Sequence, residues 1–261
     1  MNDLIKKVKE LLTAGDIDLF IGYEKGTRAP RPLFVTLPED AEKLIFDDKC
    51  TGNLAVYLTR KDLVEGKKTG ISASYHALKN ISLLVEENQL NIGSLVIFGQ
   101  AEGQLRRFEN KEEIQDYLKT TILPPNTTEE ELMRKIETMS REERWEFWTG
   151  ELSKCIKCYA CRAACPMCYC TKCIVEVNRP QWIEPWAATV SNMEWQINRA
   201  MHMSGRCSGC GACETACPIG LPIHLLNRKM FELVKDNFGL ERTKGNVLST
   251  FKPEDKENFI L

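Results

Sequence analysis

Cysteine is the residue whose number and spacing stand out in this chain. Twelve cysteines occur among 261 residues, and eleven of them lie in the stretch from Cys155 to Cys217. Eight of these eleven belong to one pattern that occurs twice. In this pattern two residues separate each of three cysteines from the next, and three further residues separate the third cysteine from a Cys-Pro pair. The two copies are Cys155, Cys158, Cys161, Cys165 with Pro166, and Cys207, Cys210, Cys213, Cys217 with Pro218. Thiolates are soft ligands, so the chemistry that this spacing predicts is the binding of iron.

The repeated pattern predicts two [4Fe–4S] clusters. Each iron corner of such a cube binds one thiolate, and in the bacterial ferredoxin spacing the fourth cysteine of each motif binds the other cluster. The ligands expected for cluster one are Cys155, Cys158, Cys161 and Cys217. The ligands expected for cluster two are Cys207, Cys210, Cys213 and Cys165. These clusters exchange single electrons, and the alternative of a zinc scaffold without a redox role is disfavoured by two complete motifs.

Four cysteines remain outside the two motifs, namely Cys50, Cys168, Cys170 and Cys173. Four thiols are the number that closes a third site, holding either zinc or another iron–sulfur cluster. In that arrangement Cys50 would join the N-terminal region to the cysteine-rich region. The alternative is that Cys50 is an ordinary buried thiol, which is common for this residue type. The sequence leaves both readings open.

The bulk composition limits the function. A formal net charge of −2 and a hydrophobic content of 43% describe a globular chain and give no reason to expect a nucleic-acid partner. The chain begins without the apolar core of a secretion signal, and no stretch approaches the roughly 18 apolar residues of a membrane helix. We therefore expect a cytoplasmic protein without direct membrane insertion, in which reduced thiols are available for metal.

The domain organisation follows from a change of composition near Leu123. One cysteine precedes this point and eleven follow it, and two consecutive prolines at positions 124 and 125 interrupt any regular element. We predict an α+β protein in which an α/β domain at residues 1–123 is followed by an α-helical ferredoxin-type dicluster domain at residues 124–243. Residues 244–261 are expected to form a polar tail.

Short apolar runs and helical periodicity place the elements of the first half. A helix is expected over residues 3–13, and strands are expected over 19–23, 33–35 and 54–58. A strand at 69–74, a helix at 75–88 and a strand at 94–99 predict a parallel strand–helix–strand unit. Asn110 and Glu113 mark the start of another helix.

Helices are expected to flank the cysteine motifs. Ser140 and Glu143 form a capping box at a helix start, and further helices are expected at 191–203 and 222–236. The long gap between Cys165 and Cys207 favours an α-helical ferredoxin architecture over a compact hairpin one. Trp182, Trp186 and Trp195 lie in this gap. They are expected to shield the clusters from water and to pack in the core, and the alternative is an electron relay.

Two segments carry a resemblance to a known family. They run from Cys155 to Cys170, with the sequence CIKCYACRAACPMCYC, and from Gly205 to Pro218, with the sequence GRCSGCGACETACP. Both are similar to the dicluster iron–sulfur subunits related to the beta subunits of deazaflavin-dependent hydrogenases and formate dehydrogenases. Relatives of these subunits accompany heterodisulfide-reductase-like flavoproteins in anaerobes. The resemblance is specific over residues 150–220 and fainter over residues 15–120.

The resemblance implies an electron-transfer subunit of a larger anaerobic oxidoreductase complex, including complexes that bifurcate electrons at a flavin. Its partners would be a flavoprotein and another redox subunit or a ferredoxin. The alternative function is a beta subunit that binds FAD itself and exchanges hydride and electrons. Where relatives carry a Lys-Gly-Cys-Asp-type sequence near the flavin, this chain has the residues from Ser72 to His76, which counts against FAD. No catalytic residue is identified.

Overall fold

The computed structural model describes residues 2–101, 103–124, 126–173, 175 and 177–239. The strands are β1 (Leu19–Glu24), β2 (Arg31–Val35), β3 (Leu44–Ile45), β4 (Thr69–Ala73), β5 (Leu95–Ala101) and β6 (Gln104–Phe108). The helices are α1 (Asn2–Ala14), α2 (Lys61–Val64), α3 (Tyr75–Glu86), α4 (Lys111–Thr120), α5 (Thr127–Thr138), α6 (Arg141–Ser153), α7 (Ala160–Ala163), α8 (Thr189–His202), α9 (Ala212–Thr215) and α10 (Ile223–Phe238). Short 3-10 helices span Pro38–Lys43, Leu54–Thr59 and Ile92–Ser94.

A mixed sheet organises the first part of the chain. Its strand order is β2-β1-β4-β5-β6, and the short strand β3 pairs with the end of β1 at Tyr23 and Glu24. The central strands β1, β4 and β5 run parallel, so that Ile71 lies opposite both Ile21 and Ile97. Helix α3 connects the parallel strands β4 and β5, which confirms the predicted strand–helix–strand unit. The outer strands β2 and β6 are antiparallel to their neighbours.

The core of this part forms where helices cover the sheet. Every residue of β4 is buried, as expected for a central parallel strand that is covered on both faces. Helix α3 contributes the fully buried Leu78, Ile81 and Leu84, and helix α1 contributes Leu4 and Val8. Burial of a Leu or Ile side chain stabilises a fold by about 1.5–3 kcal/mol, so these residues fix α3 firmly on the sheet.

The prediction of a strand at residues 54–58 is wrong, because this segment is the 3-10 helix Leu54–Thr59. Asn53 caps the segment, with its side-chain oxygen accepting a hydrogen bond from the Ala55 backbone N–H at 3.3 Å. Its buried residues are Leu54, Ala55 and Leu58, which is a helical spacing rather than an alternating one. A short apolar run does not distinguish a strand from a buried helical turn.

The later part of the described chain is helical. The capping box before α6 is present, with Glu143 N–H donating to Ser140 Oγ at 3.1 Å and Ser140 N–H donating to Glu143 Oε2 at 2.8 Å. The helices predicted at 191–203 and 222–236 are α8 and α10, which pack against each other, and α8 also packs against α6. The domain boundary near Leu123 stays a prediction, and the predicted tail at 244–261 lies outside the described residues.

Candidate metal centres

The loop of the first cysteine motif follows helix α6 directly. After Cys155 the backbone enters the left-handed region at Lys157 (φ 52°) and again at Tyr159 (φ 58°), and the short helix α7 begins at the next residue. The Lys157 N–H donates to Cys155 Sγ at 3.4 Å. The left-handed turns therefore curl the chain around the sulfur of the first cysteine.

The loop of the second motif follows the same backbone path. Gly209 (φ 72°) and Gly211 (φ 67°) occupy the two left-handed positions, and helix α9 begins immediately afterwards. The Gly209 N–H donates to Cys207 Sγ at 3.4 Å, which matches the contact made by Lys157. The two motifs are thus similar in conformation as well as in sequence, and their short helices α7 and α9 contact each other.

One small cavity brings together the four thiols predicted for cluster one. It is lined by Cys155, Cys158, Cys161 and Cys217. Three of these belong to the first motif, and Cys217 comes from the second motif. Leu221 N–H donates to Cys217 Sγ at 3.4 Å, and the side-chain amide of Gln196 donates to Cys155 Sγ at 3.5 Å. Four thiols around one space, with N–H groups directed at the sulfurs, suit a [4Fe–4S] cube.

The thiols predicted for cluster two also lie together. Burial raises the pKa of Cys213 to about 12 and that of Cys207 to about 11, and the nearby Cys165 and Cys210 thiols add to both shifts. Cys165 of the first motif is therefore a neighbour of the second-motif cysteines. Thiols with such raised pKa values stay protonated at neutral pH unless a metal displaces the proton. The assignment of ligands to clusters stays a prediction.

Helix α8 presents to the first motif a polar face that was not predicted from the sequence. The Asn192 side chain donates to the Cys155 carbonyl at 2.7 Å, Gln196 donates to Cys155 Sγ, and the Arg199 guanidinium donates to the Cys161 carbonyl at 3.2 Å. All three side chains are buried. Their spacing of four and three residues is the signal that could have revealed a polar helix face packed against the cysteines.

The three tryptophans predicted to shield the clusters have different environments. Trp195 is buried and lies edge-on to the Tyr159 ring, with ring centroids 5.0 Å apart. Trp182 and Trp186 are exposed, so they do not pack in the core as expected. Burial of Trp195 follows from its place on the polar face of α8, between Asn192 and Arg199.

The four remaining cysteines are not brought to one place. Cys50 is buried in the core beside the sheet, where its sulfur accepts a hydrogen bond from the Asp47 N–H at 3.5 Å and where burial raises its pKa to about 11. Cys168, Cys170 and Cys173 line a separate cavity beside α8. The structure therefore separates Cys50 from the other three members of the predicted third site.

Single-ion sites follow a different geometry from cubane sites. Within the part of the chain that the structure describes, no three His, Cys, Asp or Glu side chains converge closely enough to bind one metal ion. The four ligands of a cube each bind a different iron, so they stand around a wider space than the ligands of one zinc ion.

No helix among the described residues has both the length and the apolar character that crossing a membrane requires.

Comparison with known proteins shows what the region of the cysteine motifs is similar to. Residues 151–221 match the family model described as 4Fe-4S dicluster domain. The chain is 34% identical over 112 residues to the F420-dependent formate dehydrogenase subunit beta of Methanocaldococcus jannaschii, covering 41% of this chain and 29% of that protein. It is 28% identical over 94 residues to the F420-dependent formate dehydrogenase 1 subunit beta of Methanococcus maripaludis, covering 36% of this chain and 24% of that protein.

The chain thus matches less than a third of the length of either relative. The resemblance of the cysteine motifs to a 4Fe-4S dicluster domain and to formate dehydrogenase beta subunits is confirmed by these matches.

Proposed function

We propose that this protein is an electron-transfer subunit that holds two [4Fe–4S] clusters. Cluster one is bound by Cys155, Cys158, Cys161 and Cys217. Cluster two is bound by Cys207, Cys210, Cys213 and Cys165. The observation that carries the proposal is that Cys217, which follows Cys161 by 56 residues in sequence, lines one cavity with Cys155, Cys158 and Cys161. Bound clusters of this type supply one-electron chemistry.

The surroundings of the two sets suggest a direction for the electron path. Around the first set, Cys158 and the apolar side chains of Ile156 and Ile219 are exposed, so a partner could approach that set closely. Next to the second set, Ser208 donates a hydrogen bond to the Asn80 side chain of helix α3 at 3.1 Å. In the proposed arrangement the first set faces an external partner, and the second set lies towards the sheet.

The partners proposed are those that the relatives suggest. Both relatives are named as beta subunits of formate dehydrogenases, which are oxidoreductases with more than one subunit. We therefore infer that the chain works in a complex, between a partner flavoprotein and a further redox subunit or a ferredoxin. The competing proposal, that this chain binds FAD itself, is decided by the measurement below.

The experiment is metal, sulfide and flavin analysis of the full chain purified without oxygen, with EPR after reduction by dithionite. Two clusters predict about eight irons and eight sulfides per chain and no flavin. The variant Cys217→Ala should lose about four irons and one EPR signal, because it removes one corner ligand of one cube. The matched control Cys50→Ala removes a thiol that the proposal leaves unused, so its iron content should equal that of the wild type.

The possible results separate the competing proposals. Stoichiometric FAD would favour the flavin-binding enzyme over the electron-transfer subunit. Zinc, or iron clearly above eight, would assign a third metal site to the remaining cysteines. Iron close to zero in a sample kept anaerobic throughout would overturn the proposed function.

A further inference from the structure

Arg199 is a buried charge in the middle of the cysteine-rich region. It lies on helix α8, and only 4% of the residue is exposed. One guanidinium N–H donates to the Cys161 carbonyl at 3.2 Å, whereas the Nε–H has no hydrogen-bond partner among the described residues. An unpaired donor on a buried cation is costly, so the structure requires an explanation for it.

The groups around Arg199 are thiols and not carboxylates. Within the described residues, no Asp or Glu forms an ion pair with it. The titratable groups that influence it most strongly are the thiols of Cys213, Cys165 and Cys161, which belong to both ligand sets. The guanidinium therefore lies close to ligands of both clusters.

The free-energy cost of burying the Arg199 cation indicates that an anion accompanies it. Removing a cation from water without a partner costs several kcal/mol, and buried arginines are accordingly paired with anions. A cube with four thiolates is an anion, and its sulfurs accept hydrogen bonds. The free Nε–H of Arg199 and the thiols that surround it match this partner in charge and in hydrogen-bonding capacity.

We propose that Arg199 is a positioning residue that serves as the counter-ion shared by the two clusters, with its Nε–H donating to a cluster sulfur or a ligand sulfur. This inference rests on the proposed two-cluster function. Reduction adds one electron and no proton to a cluster, which becomes more negative by one charge. The fixed positive charge of Arg199 stabilises the reduced form, so it raises the reduction potential of both clusters.

The test is an EPR-monitored redox titration of the anaerobically purified holoprotein and its variants, with iron analysis of each sample. Arg199→Met should lower both midpoint potentials by at least about 59 mV, which is a tenfold change in the reduction equilibrium of a one-electron couple. Arg199→Lys keeps the charge and should lie between the wild type and Arg199→Met. The control Lys229→Met changes the net charge equally but removes an exposed lysine that pairs with Glu137 on the surface, so both potentials should stay unchanged.

A second measurement on the wild-type holoprotein does not depend on the folding of a variant. Labelling the arginines with nitrogen-15 should give a hyperfine coupling to the reduced clusters in pulsed EPR, and this coupling should disappear in Arg199→Lys. Absence of the coupling in the wild type, or unchanged potentials in an iron-replete Arg199→Met, would overturn the proposal. If Arg199→Met fails to retain iron, the nitrogen-15 result decides. Wild-type protein without iron would instead contradict the proposed function.

Discussion

At the scale of single residues, the loops of the two cysteine motifs share one backbone conformation but have different residues at the left-handed positions. The second motif uses Gly209 and Gly211 at its left-handed positions, where glycine carries no steric cost. The first motif has Lys157 and Tyr159 there, at a cost of roughly 1–2 kcal/mol per residue. Contacts of these side chains offset the cost, because Lys157 Nζ donates to the Glu184 carbonyl and Tyr159 packs on Trp195.

This difference predicts the effect of a methyl group at Gly209. A Cβ there would meet no atom within 4 Å, so only the left-handed backbone opposes Gly209→Ala, and we expect a destabilisation of about 1–2 kcal/mol without loss of iron. The control Gly150→Ala adds a methyl group in equally open space but inside helix α6. It should stabilise the protein by up to about 1 kcal/mol. Thermal unfolding of the anaerobic holoproteins measures both, and shifts of the same sign would contradict the explanation.

At the scale of elements, a histidine joins three helices beside the second motif. His224 is near the start of α10, and its Nε2 lies 2.8 Å from Glu129 of α5 while its Nδ1 contacts Glu214 of α9. Arg228, one turn further along α10, also pairs with Glu129. Burial by itself lowers the pKa of His224, but the hydrogen bonds to the two carboxylates outweigh burial and raise it above 6.5.

The raised pKa predicts a pH-dependent contribution to stability. Since the folded-state pKa lies above the unfolded value, the stabilisation is fully present below about pH 6.5 and is lost as the pH rises through the raised pKa. His224→Gln should therefore lower the thermal midpoint more at pH 6 than at pH 8.5, with a loss of about 1–2 kcal/mol at the lower pH. The exposed His202 provides the control His202→Gln. An equal loss for His224→Gln at both pH values would contradict a role for the charge.

At the scale of the whole molecule, the end of helix α3 joins the sheet to both cysteine motifs. Glu87 accepts hydrogen bonds from the Tyr169 hydroxyl at 2.7 Å and from Arg206 at 3.3 Å, and Arg206 lies over the Tyr169 ring at 4.6 Å from its centroid. Burial, with the bond to Glu87, raises the pKa of Tyr169 to about 12. The apolar Leu83 of α3 and Met203 pack in the same contact.

Removal of the Glu87 carboxylate should weaken this junction. Glu87→Ala deprives a half-buried arginine and a tyrosine of their acceptor, so we expect a destabilisation of about 2 kcal/mol. Amide hydrogen exchange should increase in the segment around Cys207 and at the end of α3. The control Glu112→Ala removes an exposed carboxylate from helix α4 and should change neither quantity. Unchanged exchange in Glu87→Ala would indicate that apolar packing alone holds the junction.

Local order along the chain explains what could be predicted. Ligand spacing, the capping box at Ser140 and the periodicity of the strand–helix–strand unit all depend on residues within a few positions of one another. The dicluster domain and the parallel pair β4–β5 could therefore be predicted from the sequence. The segment Leu54–Thr59 was predicted wrongly because an apolar run of that length contains no period that separates a strand from a helical turn.

The sequence by itself determined that this chain carries two ferredoxin motifs, because thiol ligands of a cubane are encoded by their spacing. Only the tertiary structure decided that Cys50 lies apart from the other three cysteines outside the two motifs. It also decided that Arg199 is buried among thiols of both motifs. The physical reason is that the burial of a side chain, and the groups that surround a charge, depend on which elements pack against each other in the core. Residues far apart in sequence come into contact only through that packing.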